Sequence, residues 1–273
     1  MSERSQLTTD HPFSDLPFLI VGGVGRSGTT VLRNCIAAHP QIETLNRESN
    51  YIFDLMRNAH VTMDKEFRVK NMVVSISDFW HLHQQLILDL HWPRKTLLPK
   101  NQPLAISTYS MLDPRAAIAM SQAFPRLSIC YIVRNGIEVV SSYNSFKNFQ
   151  HLEFEDCCRI WAFRFDMIQY VTQNPHCTLL RYEWLNDDRS RFQAGLTEAF
   201  NQSGIDFAPH CLKPLDTRFH PTRFQGESRT DAKNMAKRRD RWQLWTDAQR
   251  DQFESICGNK MRELGYEIPW VAN

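Results

Sequence analysis

Pro17-Phe18-Leu19-Ile20-Val21-Gly22-Gly23-Val24-Gly25-Arg26-Ser27-Gly28-Thr29-Thr30 is the stretch on which the fold turns. Its first six residues read as a short, fully buried strand. The glycines then set a tight loop, and Val31, Leu32, Cys35 and Ile36 recur on one face of a helix that stops at His39-Pro40. Strand, glycine-rich loop and helix together form the context of a phosphate-binding turn. Backbone amides at a helix N-terminus offer an anion both donors and the positive end of the helix dipole. Gly23 and Gly28 keep the GxxxxGK[ST] spacing and Thr30 takes the hydroxyl place, but Thr29 stands where the lysine belongs. Without that lysine, support for transfer of a terminal phosphate is weakened. Arg26 brings a cation to the rim of the loop instead, where it can meet charge developing on a phospho-anhydride oxygen.

Working outward, the pattern keeps alternating. Leu104 to Ser107 and Cys177 to Tyr182 read as short strands, and Leu127 to Val133 (LSICYIV) is the clearest one. Helical periodicity covers 48–60, 76–92, 137–146, 154–173, 187–203 and 246–264. In the second of these, Ile76, Phe79, Trp80, His83, Leu86, Ile87 and Leu90 form the apolar stripe. Asp113-Pro114 opens a further helix, with Asp113 as N-cap and Pro114 at the first helical position. Residues 209–240 lack apolar periodicity and read as a long functional loop. Strands alternating with helices predict an α/β protein: a P-loop-like three-layer fold with a central, mainly parallel sheet flanked by helices. The expected division is a flexible arm over residues 1–15 and one domain over 16–273.

Composition excludes several classes. With 273 residues, 42% hydrophobic and 23% charged, the chain can build one large core. A net charge of +2 is too small for a polybasic nucleic-acid binder. No window approaches the ~20 apolar residues of a membrane span, and the first fifteen residues lack the apolar stretch of a signal peptide, so a cytoplasmic protein is expected. The seven cysteines are odd in number and contain no CxxC pair, which predicts buried thiols rather than disulfides or a zinc site.

Arg26-Ser27-Gly28-Thr29-Thr30 resembles the 5′-phosphosulfate loop, [KR]SGTT, of the sulfotransferases that use 3′-phosphoadenylyl sulfate. Thr30-Val31-Leu32-Arg33 and Ala38-His39-Pro40 look closest to the tyrosylprotein and bacterial branches. The family's second signature is a strand ending in arginine with a serine eight residues on. Arg134 and Ser142 match it, against the plainer reading of a strand-end arginine paired to a carboxylate. Arg181-Tyr182-Glu183 and Arg241-Trp242 are similar to two further family segments, the second following a flexible loop in which Ser228, Arg229 and Lys233 are donor candidates.

The resemblance implies that Ser27, Gly28, Thr29 and Thr30 hold the 5′-phosphate, with Arg26 on the leaving oxygen. It implies that Arg134 and Ser142 hold the 3′-phosphate, that Tyr182 lies near the nucleotide, and that Arg241 closes the cofactor site after a loop in which Ser228 is a donor candidate. Glu48 fits the place of the catalytic base. Glu43, His91 and His151 are its competitors, and a helix N-terminal carboxylate is the bland reading of Glu48. No metal is expected. Many relatives carry a lysine in a Lys-x-Pro segment, absent here, so Arg26 acts alone or is assisted by Lys70, Lys100 or a C-terminal loop cation. The acceptor stays open between a small molecule, a carbohydrate and a peptide, with Trp80, Trp92, Tyr109 and Phe149 as aromatic candidates for its pocket. No nucleic-acid or membrane partner is expected. The rival readings are a P-loop kinase or NTPase, which would need the loop lysine and a strand-end aspartate for Mg²⁺, and a nucleotide-binding protein without catalysis.

Overall fold

Phe18 and Ile20 pack into one layer of side chains while Leu19 and Val21 pack into another, so β1 (Phe18–Gly23) is buried on both faces. That alternation is the pleat of a strand with helices on either side. The structure is a computed structural model that describes residues 15–48, 50–63, 75–91, 103–107, 113–144, 149, 151–216 and 241–271.

Five parallel strands form one sheet in the order β2-β3-β1-β4-β5. The others are β2 (Glu43–Glu48), β3 (Leu104–Ser107), β4 (Leu127–Val133) and β5 (Cys177–Arg181). Phe18 lies opposite both Leu104 and Leu127, so the central strand is β1. Parallel neighbours need long crossovers, and the helices supply them. α1 (Thr29–Ala37) and α8 (Arg189–Gln202) cover one face through Leu32, Ile36, Phe192, Leu196 and Phe200. The other face is covered by α2 (Asn50–Met63), α3 (Ile76–His91), α4 (Pro114–Ala123), α5 (Gly136–Asn144), α6 (Phe154–Thr172) and α10 (Asp247–Glu263). Short helices α7 (Trp184–Asp187) and α9 (Lys213–Asp216), with 3₁₀ turns at Pro209–Leu212 and Arg241–Leu244, complete the described chain.

Local chemistry fixes the ends of these elements. Asp113 caps α4, its carboxylate accepting the Arg115 amide at 2.8 Å, with Pro114 at the first position as expected. Thr246 and Gln249 form a capping box at the start of α10. Arg126, just before β4, donates to the carbonyls of Ser203, Gly204 and Asp15, gathering the orphan end of α8 onto the sheet.

Several expectations need correction. Residue 48 is the last of strand β2, not the first turn of a helix, and α2 begins at Asn50. ETLNRE carries one aliphatic side chain larger than a threonine's, so neither period shows. As an edge strand it is held by backbone pairing to β3, Glu43 opposite Leu104 and Glu48 opposite Ser107 across a register shift. In α3 the inward face is Phe79, Trp80, Gln84, Ile87 and Leu88, while Ile76, Leu86 and Leu90 are exposed. The stripe is rotated because Gln84, polar and so discounted, turns inward and donates to the carbonyl of Ala123 at the end of α4. The stretch from 209 is helical as far as Asp216. Helix α5 is described over Gly136–Asn144, and its expected end near 146, like the arm over 1–14, lies outside the described residues. Six of the seven cysteines are buried, Cys177 is half-buried, and all seven are free thiols.

Candidate functional site

The loop between β1 and α1 stands at the C-terminal edge of the sheet, at the centre of the strand order. In open α/β sheets that crevice is where ligands bind. The turn begins where the Ser27 amide donates to the Val24 carbonyl at 3.0 Å. Arg26 has φ 69°, a left-handed backbone that costs a residue with a Cβ about 1–2 kcal/mol. Gly28 has φ 96° and serves as the N-cap of α1. A Cβ at Gly28 would lie 2.4 Å from Cδ2 of Tyr182, so only glycine fits. α4, α8 and α10 each have a side chain accepting from their first turn, whereas α1 has none. Its first amides therefore face the loop mouth without a side-chain acceptor. Ser27 is wholly buried, and among the described residues its Oγ has no hydrogen-bond partner. A loop that combines left-handed backbone, an uncapped helix start and an orphan buried hydroxyl fits a bound phosphate better than a packing turn.

The second motif meets the first directly. Arg26 Nε donates to Ser142 Oγ at 3.0 Å across 116 residues of chain. Arg134 Nη1 donates to the carbonyl of Arg26 at 3.2 Å. Its guanidinium lies 4.1 Å from the centroid of the Tyr182 ring, which in turn covers Gly28. Arg26, Gly28, Arg134, Ser142 and Tyr182 are thus one cluster. Arg134 also pairs with Glu138 through Nε, at 2.8 Å, and Nη2. The ion pair and the place in the site coexist: three of five guanidinium donors are engaged, leaving two. Asn135, next in line, accepts the Ile137 amide at 2.9 Å and starts α5, while its own amide donates to Glu183 at 2.9 Å. Glu183 also accepts from Tyr266 at 2.8 Å, tying the C-terminal segment to the motif. Burial, and then that carboxylate, push the Tyr266 phenol well up, so it stays a donor.

Arg241 opens the 3₁₀ turn that packs beside α5. Its neighbour Trp242 lines a cleft of about 230 Å³ with Asn135, Glu138, Glu183 and Tyr266. Glu48 ends β2 at the same edge of the sheet as the loop. Glu43, by contrast, begins that strand at the opposite edge, and its amide donates to Pro103. Ser228, Arg229, Lys233, Lys70, Lys100, Trp92 and Tyr109 lie outside the described residues. His39 is buried: Nδ1 accepts the Gln41 amide, and Nε2 pairs with the Asp206 carbonyl at 2.9 Å. Among the described residues no group of three or more His, Cys, Asp or Glu is placed to hold a metal ion, and no helix is long and apolar enough to cross a membrane.

Two contributors carry no sequence signal of their own. Tyr143 donates to the Gly25 carbonyl at 3.1 Å, so consecutive residues of α5, Ser142 and Tyr143, both hold the loop. Burial raises the Tyr143 phenol above its ordinary value, which keeps the proton in that bond. Phe149 packs edge-on against Tyr143 at 4.7 Å, whereas Trp80 is a core residue. Arg164 of α6 reaches Tyr143 Oη at 3.3 Å. Tyr143 adjoins the motif serine in sequence; Arg164 could be found only from the fold.

Known structures share this architecture. The sulfotransferase domain from the Synechococcus PCC 7002 olefin synthase superposes with TM-score 0.59 at 18% identity, covering 96% of this chain and 98% of that one. The sulfotransferase domain from the curacin biosynthetic pathway does so with TM-score 0.56 at 16% identity, covering 93% and 99%. At these identities the likeness is one of fold. In sequence, protein-tyrosine sulfotransferase A of Caenorhabditis elegans is 25% identical over 155 residues, 53% of this chain and 38% of that protein's length. The matched part thus spans well under half of that relative. The sequence profile of the sulfotransferase family matches residues 17–206, well over half of the chain and both motifs of the cluster, and the chain belongs to that family.

Proposed function

We propose that the protein transfers a sulfuryl group from 3′-phosphoadenylyl sulfate to an acceptor hydroxyl or amine. The observation that carries this reading is the junction of the two motifs, Arg26 to Ser142 at 3.0 Å and Arg134 to the Arg26 carbonyl. A single-phosphate turn has no need of a second arginine and serine from the neighbouring strand and helix. A donor phosphorylated at both 3′ and 5′ positions does.

The donor supplies an activated sulfur whose bond to the 5′-phosphate oxygen breaks as the acceptor attacks. The loop amides and the hydroxyls of Ser27, Thr29 and Thr30 hold the 5′-phosphate. Arg26 stabilises charge growing on the leaving oxygen. Arg134 retains two free donors for the 3′-phosphate, and Ser142 exchanges its bond to Arg26 for one to the nucleotide. Tyr182 offers its ring beside Gly28, and Arg241 and Ser228 complete the nucleotide contacts. Glu48 takes the acceptor proton. Its backbone lies at the loop's edge of the sheet, two strand spacings or about 10 Å from β1. The acceptor is a small molecule, carbohydrate or peptide.

Thermal unfolding with 3′-phosphoadenosine 5′-phosphate, and separately with Mg-ATP, tests the donor. At 100 times its dissociation constant a ligand stabilises by about 2.7 kcal/mol, a rise of roughly 5–10 °C for a protein of this size. A rise with the bisphosphate is expected. A rise with Mg-ATP alone sinks the reading in favour of phosphoryl transfer. Glu48→Gln should then abolish most turnover while leaving the bisphosphate shift intact, and full turnover in that variant would move the base elsewhere.

A further inference from the structure

Arg164 projects from α6 toward the phosphate loop, and a Cβ at Gly25 would lie 2.8 Å from its Nη1. Its side chain is half-buried, and among the described residues its one hydrogen bond is Nη1 to Tyr143 Oη at 3.3 Å. Among the described residues no carboxylate pairs with it. That is unusual: a guanidinium taken partly out of water normally finds an anion, because an uncompensated charge there is costly. The other arginines of this cluster have partners, Arg134 in Glu138 and Arg26 in Ser142. Arg164 keeps four of its five donors.

The neighbours of Arg164 are arranged to admit it. Glycine at position 25 leaves the space that Nη1 occupies, and Tyr143 orients the guanidinium while bonding the carbonyl of the same glycine. The loop lacks a lysine at position 29, so Arg26 is the one cation that Gly23 to Thr30 brings to the 5′ end of a phosphorylated donor.

We infer that Arg164 is the second cation of the 5′-phosphosulfate site, contacting the anionic 5′ end of the donor from α6 and so replacing the absent loop lysine. This rests on the sulfuryl-transfer reading above. Arg164 forms no covalent bond and moves no proton. It neutralises charge on the 5′-phosphate and on the sulfuryl oxygens as the S–O bond to the phosphate lengthens.

The test is calorimetric titration of the wild type, Arg164→Met and Arg164→Lys with two nucleotides at up to millimolar concentration. One is 3′-phosphoadenosine 5′-phosphate; the other is adenosine 3′-phosphate, which lacks the 5′ anion. Arg164→Met is expected to bind the bisphosphate about 10- to 100-fold more weakly. It should bind the 3′-monophosphate within about 2-fold of wild type, and Arg164→Lys should recover part of the loss because it keeps the charge. Unchanged bisphosphate affinity in Arg164→Met overturns the inference and leaves the donor reading standing. An equal loss on both nucleotides overturns it too, since that is the mark of a residue that only shapes the loop. Should Arg164→Met fail to fold, Arg164→Gln takes its place, and a bisphosphate affinity within 2-fold of wild type in that variant overturns the inference. A wild type that does not bind the bisphosphate sinks the donor reading first, and this inference with it.

Discussion

Arg26 is the residue with most to lose and least reason to be stable. Its left-handed backbone costs about 1–2 kcal/mol, and its bond to Ser142 returns about 1 kcal/mol. Arg26→Gly removes both, so its unfolding free energy should stay within about 1 kcal/mol of wild type. Turnover should fall at least about 100-fold if the guanidinium stabilises the leaving oxygen. Denaturant titration beside a steady-state assay separates the two, and a variant as active as wild type would remove Arg26 from the chemistry. Gly28→Ala is the opposite case. The new methyl meets the Tyr182 ring at 2.4 Å on a backbone with φ 96°, and a loss of about 2–4 kcal/mol in a urea titration is expected. Loop spacing singles out both residues in the sequence, and the resemblance to the family's second signature singles out Arg134 and Ser142. The sequence could not show that Arg26 and Ser142 touch, because spacing along a chain carries no information about which side chains share a few ångströms.

At the scale of elements, ends were more legible than faces. Asp113-Pro114 announces α4 because capping chemistry is local, written in two adjacent residues. The capping box of α10 is equally local, and Thr246→Ala should cost about 1 kcal/mol, read as a lower urea midpoint at an unchanged slope. A midpoint equal to wild type would mean that packing of Phe253, Cys257 and Met261 alone sets that helix. Faces depend on what lies opposite. Gln84 turns inward because Ala123 offers it a carbonyl, which periodicity cannot weigh. Strand β2 carries no signal for the same reason: ETLNRE is strand only because β3 stands beside it. Arg164 belongs here as well, since its relation to Gly25 exists only once α6 has packed onto the sheet's face.

On the scale of the whole molecule, the three layers were legible because β1 and β4 are apolar on both faces. The burial that makes them so also governs the thiols. Burial pushes Cys35 and Cys177 up to about 12 from an ordinary value of 9.0. The unfolded chain therefore releases protons first as pH rises. The stability these thiols contribute is intact below pH 9 and is lost as pH climbs toward 12. The urea midpoint should fall across that window, and Cys35→Ala with Cys177→Ala should flatten the fall; an unaltered slope would assign it to tyrosines and lysines. The strand order has a further consequence, for the chain as it is made. β1 lies between β3 and β4, and Phe18 faces Leu127, 109 residues later. At a synthesis rate of about 5–20 residues per second, the segment that carries the loop emerges from the ribosome roughly 5–20 s before its second neighbour exists. Until then PFLIVGG is an apolar ribbon with two open edges, so a nascent chain stalled before Leu127 is a natural client for a chaperone that grips short hydrophobic strands.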